Sequence, residues 1–142
     1  YLLFNLPIGW LAGMKIIDLS EKHCITGVPF KWINKNPFKS VYFAVQSMTA
    51  ELSTATACMV ATQGYQPSIA LIIVDMKGKF HKKATGRVFF TCMHQGQAHD
   101  AVARAVASKK AQKLSLKTIG KMSDGTVVSE FTFTWSFKQR QS

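Results

Sequence analysis

Hydrophobic and polar positions along the chain follow two periods. Between positions 40 and 74 there is one formal charge, Glu51, and no Gly or Pro interrupts the stretch before Gly64. Val41, Val45, Met48, Leu52 and Met59 recur there at helical spacing, and Ala, Ser and Thr fill the other faces. A helix that is apolar or small all round is buried on every side. A long central helix is therefore predicted, with the rest of the chain packed around it. Ser40 is its expected N-cap. The preceding loop, residues 34–39, contains Pro37, which keeps Asn36 out of helical geometry. The first helical N–H groups, from Val41 to Ala44, would lack partners inside the helix and suit an anion or a polarised carbonyl oxygen.

The remainder reads mainly at strand period. Residues 14–20 predict a short strand, and Ser20, Glu21 and Lys22 a turn. Cys24, Thr26, Val28, Phe30 and Trp32 then face one way, predicting a half-buried strand that Pro29 places at an edge or a bulge. Residues 68–76, SIALIIVDM, are apolar on both faces and predict a central strand that runs on into the basic KGKFHKKA. Val88, Phe90 and Cys92 mark one face of another strand. An Ala and Val stripe over 97–109 predicts a second helix. Residues 114–122 and 127–138 predict two strands joined at Asp124-Gly125, a hairpin turn signal. The last strand points Phe131, Phe133, Trp135 and Phe137 inward.

The first sixteen residues are apolar but broken by Pro7, Gly9 and Gly13, too short to span a bilayer. They predict a short amphipathic helix over one end of the core. The order is short helix, two strands, long helix, two strands, short helix, two strands. One domain over residues 1–142 is expected, of α+β class: an antiparallel sheet of about six strands wrapped around one long helix, the hotdog arrangement.

Composition narrows the chemistry. A net charge of +11 favours an anionic partner. The basic residues are scattered, and no nucleic-acid-binding motif or basic recognition helix accompanies them. Cys24, Cys58 and Cys92 show no metal or disulfide spacing and read as buried free thiols in a reducing cytoplasm. His81, His94 and His99 lack metal-ligand spacing, and no G-x-S-x-G elbow occurs. Glu51 stands out. A lone carboxylate in an apolar helix is costly unless it is paired, hydrogen-bonded or protonated.

The run NPFKSVYFAVQSMTAEL, residues 36–52, resembles the start of the central helix in the acyl-CoA thioesterase superfamily of hotdog proteins, and is most similar to the DUF4442 branch, related to PaaI-type thioesterases. The resemblance extends over essentially the whole chain, including KKATGR and the closing hairpin. It implies a homodimer, or a tetramer of two dimers, with the site between subunits. It implies that backbone N–H groups around Tyr42, Phe43 and Ala44 polarise a thioester carbonyl, that Glu51 from the other subunit activates water, and that Asn36 orients the water or the carbonyl. The substrate would be an acyl-CoA or an acyl carrier protein, coenzyme A entering only as part of the substrate, with no metal, no nucleic acid and no stable membrane insertion. Lys82, Lys83 and Arg87 would hold the phosphates. PaaI-type enzymes usually carry His-Gly-Gly near the helix start, where this chain has Ser40, Val41, Tyr42, Phe43 and Ala44. The alternative is thus a binding module of the same fold that holds the acyl thioester without turnover.

Overall fold

The computed structural model describes residues 1–142. Two short helices, α1 (Leu2–Asn5) and α2 (Pro7–Ala12), open the chain. Strands β1 (Lys15–Leu19) and β2 (Cys24–Val28) follow, then a 3-10 turn at Trp32–Asn34 and the long helix α3 (Phe43–Ala61). Strands β3 (Ile69–Phe80) and β4 (Val88–Cys92), helix α4 (Gln95–Ser108), and strands β5 (Gln112–Met122) and β6 (Val127–Gln139) complete it. The six strands form one antiparallel sheet in the order β1-β2-β4-β5-β6-β3. This is the hotdog fold, with α3 as the wrapped helix. No helix is long and apolar enough to cross a membrane.

The concave face of the sheet is built from alternating residues of the strands. Val88, Phe90 and Cys92 of β4, and Phe131, Phe133, Trp135 and Phe137 of β6, are buried against the helices. The hairpin turns at Gly125, whose φ of 87° suits glycine, and Asp124 Oδ1 accepts the Thr126 N–H at 2.9 Å. Helix α4 buries Ala98, Ala101, Val102 and Ala105.

Polar side chains fix the rotation of α3 about its own axis. Thr26 Oγ1 donates to Thr49 O at 2.7 Å, Ser53 and Thr118 hydroxyls meet at 2.8 Å, and Trp135 Nε1 donates to Thr54 Oγ1 at 3.1 Å. Each pin is buried, so slipping the helix by one residue would strand polar groups at about 1–3 kcal/mol apiece.

Three expectations are corrected. Residues 68–76 do not form a central strand: β3 lies at the sheet edge, paired only with β6. Its apolar residues are partly open, with Ile72 64% exposed on the outer face and Val74 and Met76 also exposed; a bulge between Ile73 and Asp75 turns Met76 to the inner face, beside Phe133. Conversely, β2 is no edge strand, because it ends at Val28, before Pro29, and lies between β1 and β4. Pro29 thus ends the strand rather than marking an edge or a bulge, and Trp32 stands exposed in the 3-10 turn. Ser40 does not cap α3, because Tyr42 occupies the N-cap position and the side chain of Asn36 captures Ser40.

Candidate functional site

The start of α3 is held by the loop in front of it. Asn36 Oδ1 accepts from the Phe38 N–H at 2.9 Å, the Ser40 N–H at 3.2 Å and the Ser40 hydroxyl at 3.2 Å. An Asn turned back on its own loop is a side-chain mimic of a backbone turn. The Val41 N–H donates to Ala84 O and the Tyr42 N–H to Asn34 O, both at 2.8 Å. Buried Asn34 in turn donates its Nδ2 to Ala12 O and Pro29 O, at 2.8 and 2.9 Å. Buried Gln46 donates to Val41 O at 3.1 Å and accepts from the Ser129 hydroxyl at 2.7 Å. Sequence reasoning missed Asn34 and Gln46, whose partners lie up to 83 positions away.

This frame decides which N–H groups are free. Tyr42 is spent on Asn34, so it is not a donor to a ligand. The Val45 and Gln46 N–H groups already bond Tyr42 O. Phe43 and Ala44, the first two residues of a 19-residue helix, have no intramolecular acceptor for their N–H groups. Both point where the helix dipole is positive. The Phe43 ring is tied back to the sheet through Phe80, at a centroid distance of 6.4 Å, and Phe80 through Phe131 at 5.5 Å.

Two hollows are lined by residues of this helix start. One, of about 330 Å³, is lined by Phe43, Gln46, Asn36, His81, Lys82 and Lys83. The Lys83 ammonium donates to Phe38 O at 3.3 Å, Lys82 has no carboxylate within salt-bridge reach although Asp124 feels its charge, and His81 meets Glu130 at 3.4 Å, so the two lysines leave this side of the hollow basic. The other, of about 280 Å³, is lined by Ile8, Leu11, Ile33, Tyr42, Val45 and Met48, among others, and is almost wholly apolar. Arg87 belongs to neither; it lines a separate depression with Ser123 and Asp124.

Glu51 sits in the middle of α3, half-buried, with no hydrogen bond to its carboxylate and no cation within salt-bridge reach. Burial holds its carboxyl above the usual glutamate range. The contrast is Glu130, whose carboxyl is held low by the Lys117 ammonium at 3.3 Å and by His81. Glu51 lines neither hollow. It lies eight residues from Phe43, about 12 Å along the helix axis at 1.5 Å per residue. One chain therefore cannot bring Glu51 and the free N–H groups to a single carbonyl.

The three cysteines are buried and unpaired, as expected. Burial pushes the Cys24 thiol up to about 11 and the Cys58 thiol up to about 12, so neither is a thiolate nucleophile.

No family model and no curated protein matches the sequence. Solved structures do match the fold. A protein from Pseudomonas aeruginosa described as a probable thioesterase superposes with a TM-score of 0.82 at 16% identity, covering 96% of this chain and 90% of that one. A thioesterase from Haemophilus influenzae gives 0.70 at 11%, covering 96% and 86%. A Staphylococcus aureus thioesterase, solved as a variant with one glutamine changed to alanine, gives 0.68 at 15%, covering 93% and 98%. The same protein was also solved with a glutamate changed to alanine fifteen positions further on. Asn36 and Glu51 stand at that same spacing here.

Proposed function

We propose that this chain hydrolyses acyl thioesters as a homodimer, with the Phe43 and Ala44 N–H groups of one copy polarising the carbonyl and Glu51 of the other activating water. The observation that carries the proposal is the pairing of an unpartnered helix start with an unpartnered, half-buried carboxylate on the same helix, at a separation one chain cannot close. Donors aimed at a developing oxyanion contribute the larger part of such catalysis. A carboxyl raised toward neutrality is suited to taking a proton from water. Thioesterase neighbours of the same fold support the reaction class, and the Asn36–Glu51 spacing supports the choice of residues. The resemblance of residues 36–52 to the DUF4442 branch points the same way.

The second copy has a natural place to bind. Strand β3 is a twelve-residue edge that leaves Ile72, Val74 and Met76 exposed. An edge this long and apolar calls for a partner strand. Pairing β3 with its equivalent would continue the sheet across a two-fold axis and bring two α3 helices side by side. Lys82 and Lys83, next to the N–H groups, would take the phosphates of coenzyme A or an acidic carrier protein. Asn36 acts through the loop it folds.

The test is thiol release from a panel of acyl-CoAs by wild type and Glu51→Gln, with the dimer checked by light scattering. Activity lost in an intact Glu51→Gln dimer supports the reading; an inert wild type refutes it. A second reading, binding without turnover, is favoured by Phe43, a bulky ring where PaaI-type enzymes carry glycine. Tight acyl-CoA binding by calorimetry with no thiol released would select it.

A further inference from the structure

The two hollows at the helix start differ in chemistry although consecutive residues of one segment line them. Val41, Phe43 and Gln46 face the basic hollow; Tyr42, Ala44 and Val45 face the apolar one. The unpartnered N–H groups of Phe43 and Ala44 stand at the divide. A ligand whose carbonyl oxygen reached them would have one end among lysines and the other among Ile8, Leu11, Ile33 and Met48. The far wall of the apolar hollow is not part of the sheet and helix that make the fold. It is α2, anchored where Asn34 holds Ala12 O and where Met14 N–H bonds Gly9 O at 2.9 Å.

We propose that this apolar hollow takes the acyl tail, and that Ile8 and Leu11 of α2 set the chain length it accepts. The inference rests on the acyl-thioester reading for the identity of the ligand, but not on turnover. The lining supplies two polar side chains, Asn34, whose NH₂ is already spent on Ala12 and Pro29, and Tyr42, with its single hydroxyl; the rest is aliphatic or thioether. No charged side chain lines the hollow, and its predominantly apolar wall favours an unsubstituted aliphatic chain. At about 30 Å³ for a water-sized group, close to the room a methylene needs, 280 Å³ admits a chain of about eight to ten carbons. Leu11 is half-exposed, 52%, and contributes its side chain to the wall rather than to the core, so it can be changed without opening the core.

The test uses S-alkyl-coenzyme A thioethers from ethyl to hexadecyl, which cannot be hydrolysed, titrated into the dimer by calorimetry. Affinity is expected to rise about fourfold per methylene, the burial of one CH₂, and to level off near decyl. In Leu11→Trp the plateau moves about two carbons shorter, the room an indole takes from the hollow; in Leu11→Ala it moves longer. Ile8→Trp provides an independent repeat of the shortening from the other α2 residue. A flat length series, or a plateau unmoved in all three variants, overturns the inference, even if wild type releases thiol from acyl-CoAs. A length series that shifts with α2 upholds it, even if no thiol is released and the hydrolytic reading fails.

Discussion

If the donors and the base of one site come from different copies, as proposed, mixing two inactive variants should restore activity. Glu51→Gln keeps the size of the side chain and removes the base, at a cost of about 10²–10⁴-fold in rate. Phe43→Pro removes one of the two free N–H groups. Proline is accepted at the first helical position, no intrahelical bond is lost because this N–H has no acceptor, and Tyr42, at φ −58° and ψ 137°, already holds the conformation a residue before proline prefers. Losing one oxyanion donor costs about 10²–10³-fold. When the purified variants are mixed in equal amounts, unfolded or dissociated, and reassembled, about half the dimers are mixed, and each mixed dimer has one site with both a good helix start and a good carboxylate. The mixture should therefore regain about one quarter of wild-type thiol release, against a background of about 1% or less. The 12 Å between Phe43 and Glu51 along one helix is the basis of this number. Activity that stays at background in a mixture shown by mass spectrometry to contain the mixed dimer would refute the two-chain site.

Glu51→Gln should also be more stable than wild type at neutral pH, because the amide carries no charge for burial to penalise. Because burial raises the Glu51 carboxyl, the folded state keeps a proton that the unfolded chain has released once pH passes about 4.5. Wild-type stability thus falls as pH rises through that window, the variant lacks the slope, and urea melts should show the difference closing below about pH 4. Lys82→Gln and Lys83→Gln should each raise KM for acyl-CoA about threefold, an effect that shrinks with added salt, as exposed ion pairs do. Arg87→Gln should raise it less, because Arg87 lines a different depression. Gly120→Ala places a methyl 2.6 Å from Cε1 of fully buried Phe90; a stability lowered by about 1–3 kcal/mol, read as a lower urea midpoint with an unchanged slope, is expected, and a wild-type midpoint would mean that the β4–β5 contact is looser than described.

What was legible in the sequence follows from the range of the interactions that decide it. Phe131, Phe133, Trp135 and Phe137 alternate with polar residues because one face of β6 meets the helices, and that face is a local property of the chain. Glu51 was legible as a single charge in 35 apolar or uncharged positions. The edge position of β3 was not. Apolar residues on both faces describe a strand buried between two layers and equally a strand that one chain leaves open for another. Ser40 looked like a cap because a hydroxyl before a helix usually is one. Asn36 competes for it from four positions back and wins by accepting from both the Ser40 N–H and the Ser40 hydroxyl. The pins Ser53–Thr118 and Gln46–Ser129 join residues 65 and 83 positions apart, so no local pattern announces them.

The small polar residues of α3 connect these two levels. Read alone, Thr49, Ser53 and Thr54 make a helix with no clear polar face. In the fold the Ser53 and Thr54 hydroxyls reach the sheet and the Thr49 carbonyl accepts from Thr26, and together these bonds allow α3 one rotation, in which the Glu51 carboxylate has no hydrogen-bond or ion partner in its own chain. A helix free to turn would carry that carboxylate to water, where burial would not raise it. Ser53→Ala with Thr118→Val removes both members of one pin and leaves no orphaned partner, so the loss of stability should be small. If the pins hold Glu51 in place, the same double change should lower the alkaline shift of its carboxyl, read as a displaced acid limb in the pH profile of thiol release. An unmoved limb would mean that packing of Ala50, Leu52 and Ala57 orients the helix without help from the hydroxyls.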